Sequence, residues 1–364
     1  MQTLEIDRLE DFEALRDPWE RVRSRAPHAT VFDSWGWLRG RLEAGPDEWV
    51  VLAAVPGHRE APVAFFPLQV RWERTRFSLK VDKRVSLAGF PMSDQAGLLC
   101  IPEFASKALP ELAGAVEAFM EQVGASRFEM RELVDSRWDD FLHHFGDDRF
   151  VVTSDEATPC PYIPLPESWV AYLQGSKKRK YLLRRGEREG FLITHVDEES
   201  LERDIEIFLD LHQRRLGPKP REYLATLGSI VRWTFRAGVL HLIVLWHEDT
   251  PAAVNVGFLD TSRRTFHAYN GGWDEGFRKY SPRRIAELHS IRYAIEHGCR
   301  TYDMGRGAEG YKFGFGAVED FNRNVDLVRS TAYASAQRVL GRIPKRIAEG
   351  LKSASRPGPC PPPG

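Results

Sequence analysis

The chain has 364 residues, longer than one typical domain, so two packed units are expected. Hydrophobic residues make up 42% and charged residues 28%, the balance of an ordinary globular protein. Its 51 basic and 52 acidic side chains nearly cancel, which excludes a global pull toward nucleic acid and leaves anion binding to local clusters. Met1–Asp17 is acidic and lacks the apolar segment of a signal peptide. The longest apolar runs, Trp49–Val55 and Leu240–Trp246, are too short to span a bilayer. Cys100, Cys160, Cys299 and Cys360 lack the spacing of a disulfide framework or a zinc site, and a reducing cytoplasm suits them.

In chain order, Trp49–Val55 reads as a strand, followed by a turn at Pro56-Gly57, a second strand over Pro62–Arg71 and a third segment at Arg76–Val81. Ser106–Val123 has helical spacing (Leu109, Leu112, Val116, Phe119, Val123), stops at Gly124 and gives way to a strand over Arg127–Leu133. Four prolines cluster in Asp155–Pro166 and mark a seam.

Past the seam, Lys177–Arg188 is a dense basic run with helical spacing. A second meander covers Leu240–Trp246, Ala252–Leu259 and Thr265–Asn270. Pro282–His297 has helical spacing (Ile285, Leu288, Ile291, Ile295), stops at Gly298 and leads into a strand at Thr301–Met304. The repeated order of meander, helix and strand predicts a duplicated α+β domain. The expected division is 1–158, 159–335, a basic amphipathic helix at 336–352 and a disordered Pro/Gly-rich tail at 353–364. Pro344 interrupts that helix, which is expected to pack onto the domain, with peripheral membrane contact as its other use.

Several motifs in a fixed order carry a resemblance. They are Phe32-Asp33-Ser34-Trp35-Gly36-Trp37-Leu38, Gly89-Phe90-Pro91-Met92-Ser93-Asp94 and Cys160–Leu165 followed by Gly175–Arg179. Farther on come Phe277–Pro282, Tyr302-Asp303-Met304-Gly305-Arg306-Gly307 and Glu309–Gly316. In this order the chain resembles the CelD/BcsL-type acetyltransferases of the GNAT superfamily, relatives of the FemAB peptidyltransferases, over roughly Thr30 to Ala317. The resemblance implies tandem GNAT-like domains, each a mixed, mostly antiparallel sheet flanked by helices, with a degenerate N-terminal half and a catalytic C-terminal half. It also implies acetyl-CoA or another acyl-CoA as co-substrate, without a metal. The chain departs from the common GNAT pattern at Arg278–Arg284, where the glycine-rich turn before the helix is missing.

Acyl transfer from a thioester needs a held donor, a base for the acceptor and stabilisation of developing charge. For the donor, the helix start at Tyr280, Ser281, Arg283 and Arg284 offers free N–H groups, a dipole and two cations, with Ser281 as N-cap; the bland reading is a capped surface helix. In the basic run, Lys177, Arg179, Arg184 and Arg185 read as an anion-binding face or a solvated one. Asp303 and Glu309 are candidate bases, with an Asp303–Arg306 structural pair as the alternative, and Arg306 is a candidate anchor for an acidic substrate. Lys312 is placed to reach a carbonyl or phosphate, or else is an exposed strand lysine. Tyr311 or Tyr302 is a candidate proton donor to the thiolate. Asn255, mid-strand among apolar residues, is a cleft candidate or a satisfied structural amide. His143, His144, His241 and His247 lack metal-ligand spacing.

The leading expectation is acyl transfer to an amine or hydroxyl of an envelope- or polysaccharide-related acceptor, either a small molecule or a glycan or peptide; the resemblance alone supplies the acceptor class. Behind it stand an aminoacyl-tRNA-dependent FemAB-like transferase and a non-catalytic module binding an anionic ligand. No DNA partner is expected.

Overall fold

A computed structural model describes residues 1–330, apart from 59, 75–80 and 147. The expected helix at 336–352 and tail at 353–364 lie outside the described residues, as does nearly all of the third segment at 76–81. The N-terminal half runs β1 (Gln2–Ile6), α1 (Leu9–Glu13), α2 (Arg16–Arg25), α3 (Trp35–Glu43), β2 (Trp49–Val55), β3 (Ala64–Arg74) and β4 (Val81–Leu87). It continues with α4 (Ala105–Val123), β5 (Arg127–Leu133), α5 (Arg137–Leu142) and β6 (Phe150–Pro159). Then come β7 (Tyr162–Pro164), α6 (Trp169–Gln174), α7 (Lys177–Arg188), β8 (Phe191–His195), α8 (Leu201–Leu216) and α9 (Arg221–Arg236). The chain continues through β9 (Leu240–His247), β10 (Thr250–Asp260), β11 (Thr265–Trp273), α10 (Pro282–Glu296), β12 (Thr301–Asp303), α11 (Gly310–Phe313) and β13 (Phe321–Arg329).

Among the described residues the strands form two mixed sheets flanked by helices, ordered β1-β2-β3-β4-β5-β13-β6 and β8-β9-β10-β11-β12-β7. The two orders repeat one plan. An antiparallel meander ends in one parallel pair, β4 with β5 or β11 with β12, and that pair lasts only three residue pairs in each sheet. An antiparallel strand then flanks it, β13 in the first sheet and β7 in the second. The helices before β5 and β12 end on Gly124 (φ 71°) and Gly298 (φ 74°), left-handed positions that suit a residue without a side chain. Strand β13 lies within the stretch 159–335 assigned above to the C-terminal domain, yet it pairs in the N-terminal sheet, between β5 and β6. Sequence order alone does not give that exchange, because an alternating strand satisfies either sheet equally well.

A shared core joins the halves. Trp19, Phe32 and Trp37 pack in one cluster with Phe208, Leu227, Ile230 and Phe258. The seam is tightest where α3 meets α9: a Cβ on Gly40 would lie 2.7 Å from the Ile230 Cα, and one on Gly36 would lie 3.0 Å from the Ala237 Cβ. Ser34 caps α3 by accepting the Trp37 N–H at 3.3 Å. Hence the Ser34–Leu38 motif sets how the N-terminal half leans on the C-terminal one.

A candidate acyl-transfer cleft

The cleft forms where β11 and β12 part. Their parallel pairing ends at His267 with Asp303; β11 continues to Trp273 while the chain beyond β12 turns away through Gly305 (φ 66°) and Gly307 (φ 99°). The opening is a cleft of about 430 Å³ floored by Ala268–Gly271 and Met304–Arg306. Helix α8 closes one side because β11 carries Gly272, whose missing side chain lets the α8 backbone approach; a Cβ there would sit 2.2 Å from the Leu211 carbonyl carbon. That approach brings Arg215, in the last turn of α8, to the cleft, where it donates to the Gly271 carbonyl at 3.3 Å.

Of the residues singled out in sequence, Asn255, Arg283, Arg306, Glu309, Tyr311 and Lys312 line this cleft together. Lys312 is 2% exposed and sits on the short helix α11, not on an exposed strand. Its ammonium donates to the carbonyls of Gly305 (2.9 Å), Arg306 (2.8 Å) and Gly307 (2.8 Å) and pairs with Glu309 at 3.1 Å. Three N–H bonds are thus satisfied by three carbonyls, so the lysine gathers the 305–307 loop around itself. Arg306 is likewise engaged: Nε donates to Asp94 at 2.6 Å and its NH2 to the Pro91 carbonyl at 3.0 Å. The structural pair of this arginine is therefore Asp94, from the other half, and not Asp303.

Asp303 does not reach the cleft. Its carboxylate accepts from Gln95 (2.8 Å), His267 (2.9 Å) and the Gly305 N–H (2.9 Å), and it lines a separate cavity with Thr265, His267 and Thr301. Alternation along β12 decides this, since Tyr302 points the other way and donates its hydroxyl to Glu287 at 2.7 Å.

Asn255 donates to Ser290 at 3.0 Å, and Ser290 stands 3.0 Å from His241. Burial holds His241 down at about 3, so its ring is neutral. Tyr311 faces Arg283, whose guanidinium donates to the phenol oxygen at 2.5 Å. Burial is the main cause that pushes the Tyr311 phenol up to about 12, so it stays protonated at neutral pH. Burial pushes the Glu309 carboxyl up, but its backbone N–H, Lys312 and Arg283 outweigh it, leaving a weakened base.

The remaining candidates lie elsewhere. Ser281 does not cap α10: it adopts a left-handed conformation (φ 60°) and its hydroxyl makes no capping bond. The short 3-10 helix at 275–280 runs straight into α10, and Ser281 takes the reversal between them. Tyr280 stacks on His247 and meets Phe191 edge to face, and neither it nor Arg284 lines the cleft. On α7, Arg179 donates to the carbonyls of Tyr172 (2.9 Å) and Phe315 (2.7 Å), and Arg185 donates to the Lys279 carbonyl. Both fix neighbouring segments. Lys177 and Arg184 are exposed on the outer face of α7, away from the cleft.

Among the cleft residues not singled out in sequence are Asp94, Arg215, Tyr223, Tyr269 and the buried Glu287, which accepts from Tyr302. Asp94 falls inside the quoted motif Gly89–Asp94, the one signal that pointed to it. It is 7% exposed, and burial is the main cause that raises it to about 6, with Asp303 and Glu132 adding and Arg306 opposing. Tyr223 stands 3.3 Å from the buried His212, which burial lowers to about 4.

The acetyltransferase (GNAT) domain family matches this chain over residues 176–313, the stretch that holds α7, the second meander, α10 and Lys312. That segment is similar to the GNAT domain family. Solved structures agree in fold over most of the chain. FemX matches with a TM-score of 0.59 at 12% identity, covering 90% of this chain and 97% of its own. The C-terminal domain of a candidate lysylphosphatidylglycerol synthetase from Agrobacterium fabrum matches with a TM-score of 0.57 at 12% identity, covering 91% and 95%. A conserved protein of unknown function from Bacteroides thetaiotaomicron gives a TM-score of 0.53 at 12% identity, covering 89% and 98%. No curated protein matches the sequence. With the strand plan of the GNAT domain repeated in the first half, the molecule is a tandem arrangement of two GNAT-type units, and Asp94 comes from the unit expected to be only a wall.

Proposed function

We propose that the protein is an acyltransferase that takes the thioester arm of an acyl-CoA, acetyl-CoA first among them, into the cleft beside β11. The acceptor is an amine or hydroxyl of a small molecule, glycan or peptide related to the cell envelope or its polysaccharides. The observation that carries this reading is the parting of β11 from β12 after three residue pairs, which leaves the β11 edge beyond His267 without a strand partner on that side among the described residues. An extended amide chain such as the CoA arm pairs with a free edge of this kind. Arg283, in the first turn of α10, donates to the Tyr311 oxygen at 2.5 Å and so orients the proton donor rather than reaching the phosphates.

In the reaction, the acceptor nitrogen or oxygen attacks the thioester carbon and passes its proton to Asp94. The tetrahedral adduct then expels the thiolate by breaking the C–S bond, and Tyr311 protonates the sulfur. The products are the acylated acceptor and free CoA, and both protein groups return to their starting states through solvent. Arg306 holds Asp94 by one carboxylate oxygen, and Lys312 holds the loop that carries Arg306. These two act by positioning.

Free thiol released from acetyl-CoA, with a small primary amine as surrogate acceptor, tests the assignment. Asp94→Asn should lower kcat by about 10²- to 10⁴-fold, the usual scale for general base catalysis, while CoA still raises the melting temperature. Unchanged turnover in Asp94→Asn would remove Asp94 from the mechanism.

A second reading, with an aminoacyl-tRNA donor, is favoured by the outer face of α7, where Lys177, Lys178 and Arg184 are exposed and have no carboxylate partner among the described residues. It requires activity that falls steeply with salt.

A further inference from the structure

The last residue pairs of the two parallel strand pairs are Ser86 with Glu129 in the first sheet and His267 with Asp303 in the second. Three residues farther on stand Glu132 and Arg306, at equivalent places in the two units. They meet where the halves join, with the Arg306 guanidinium 3.7 Å from the Glu132 carboxylate. The same guanidinium pairs with Asp94 at 2.6 Å. One cation from the C-terminal half therefore serves two carboxylates of the N-terminal half, and both acids are buried.

The backbone at Glu132 is shaped for this contact. Its φ of 59° is left-handed, a conformation that costs free energy in any residue other than glycine. Hydrogen bonds on both sides hold it there: its N–H donates to the Asn324 side-chain oxygen at 2.9 Å, and its carbonyl accepts the Ala96 N–H at 2.7 Å. Ala96 lies two residues after Asp94, so the same turn fixes the loop that carries the base. The Asn322 amide ties the two acids a second time, donating to the Glu132 carboxylate at 3.1 Å and to the Asp94 carbonyl at 2.8 Å. Glu132 lines neither the cleft nor the cavity beside Asp303, so it acts only through other groups.

The other charged or titratable neighbours of the two acids are Asp303 from β12, Arg131 from β5, Cys160 between β6 and β7, Tyr223 from α9 and Tyr269 from β11. Among the described residues only Arg306 forms an ion pair with either carboxylate.

We propose that Glu132 is a positioning residue of the acyl transfer: it shares the Arg306 guanidinium with Asp94 and so leaves Asp94 the proton affinity that a base needs. This rests on the acyl-CoA reading above, with Asp94 as the base. A carboxylate with an arginine to itself is a poor base, because the cation favours the charged form. Glu132 offsets part of that field by its own charge and by its claim on the guanidinium. Burial first, then Asp303 and Glu132, raise Asp94 to about 6 against the pull of Arg306, in agreement with that division. In the step itself, the acceptor's N–H or O–H proton passes to Asp94 as the bond to the thioester carbon forms, and Glu132 neither gains nor loses a proton.

The test is the pH dependence of kcat/KM in Glu132→Gln, which keeps the size of the side chain and removes its charge. Turnover is read by thiol release from acetyl-CoA with one small primary amine, whose own ionisation is common to all variants. The acid limb should move down by about one pH unit, because losing a nearby like charge favours ionised Asp94. Above the limb, kcat should fall about 3-fold, since a weaker base takes the proton less readily, and KM for acetyl-CoA should not change. Glu132→Asp, which restores the charge, should bring the limb back toward about 6. A glutamate that served the fold alone would lower the melting temperature and the amount of active enzyme, yet leave the limb at its wild-type position. An unmoved limb in Glu132→Gln would therefore overturn the assignment, as would a limb in Glu132→Asp that follows Glu132→Gln. If the limb survives Asp94→Asn, the base reading itself fails and takes this assignment with it. A limb erased by Asp94→Asn but unmoved by Glu132→Gln removes this assignment alone.

Discussion

Replacing Lys312 by methionine keeps the length of the side chain and removes its charge. The ammonium is 2% exposed and bonds three carbonyls at 2.8 to 2.9 Å. Hydrogen bonds from a charged donor contribute about 1.5–3 kcal/mol each, which would suggest a large sum. Two effects reduce it. Gly305 and Arg306 border an open cleft, so water can reach their carbonyls once the lysine is gone, and the Glu309 partner is half exposed, so its pairing adds little. About 3–5 kcal/mol is left, the usual cost of breaking a buried charged network. Chemical denaturation of Lys312→Met against the wild type reads this directly as a shift in midpoint at constant slope. A destabilisation below about 1 kcal/mol would refute the reasoning, because it would mean that the loop does not depend on the ammonium. Turnover should fall as well, since Arg306 and through it Asp94 are placed by that loop.

Gly305→Ala should destabilise by about 1–3 kcal/mol, because alanine is strained at φ 66°, and should reduce turnover further by displacing the Asp94 carboxylate; equal turnover would separate Asp94 from the loop. The kcat/KM profile should lose activity below a pH of about 6, where Asp94 takes up its proton in a field set by Arg306, Asp303 and Glu132, and Asp94→Asn should erase that limb. The sign for stability is the reverse. The folded value of Asp94 lies above the ordinary 3.8, so its contribution to stability is present below that value and is lost as pH rises to about 6; acid-to-neutral denaturation series on Asp94→Asn should show a shallower loss. Replacing Lys177, Lys178 and Arg184 together by glutamine should leave thermal stability and acetyl-CoA turnover unchanged, as all three are exposed outside the cleft; a loss of turnover at low salt would favour the polyanionic donor.

The elements were legible because their signals are local. Apolar runs bounded by turns located β2, β5 and β9, and helical spacing stopped by glycine located α4 and α10. The site was legible only in part. Arg283 was singled out for the donor phosphates and Tyr311 and Lys312 for catalysis, and all three line one cleft with Gly305, Arg306 and Glu309. What a side chain does there depends on long-range geometry. Spacing does not say that Lys312 turns inward onto three carbonyls, nor that Asp303 falls on the far side of β12. Arg215 depends on Gly272 letting α8 approach, a contact between Gly272 and Leu211, 61 positions apart. Asp94 enters from the other half because the two units share a core through the Gly36 and Gly40 seam.

Hydrogen exchange along β11, measured with and without saturating acetyl-CoA, tests the central claim most directly. The free edge beyond His267 should become protected between Ala268 and Trp273, because the bound arm supplies the partners that β12 does not. No added protection in that segment, or protection confined to α7, would contradict the placement of the donor in this cleft.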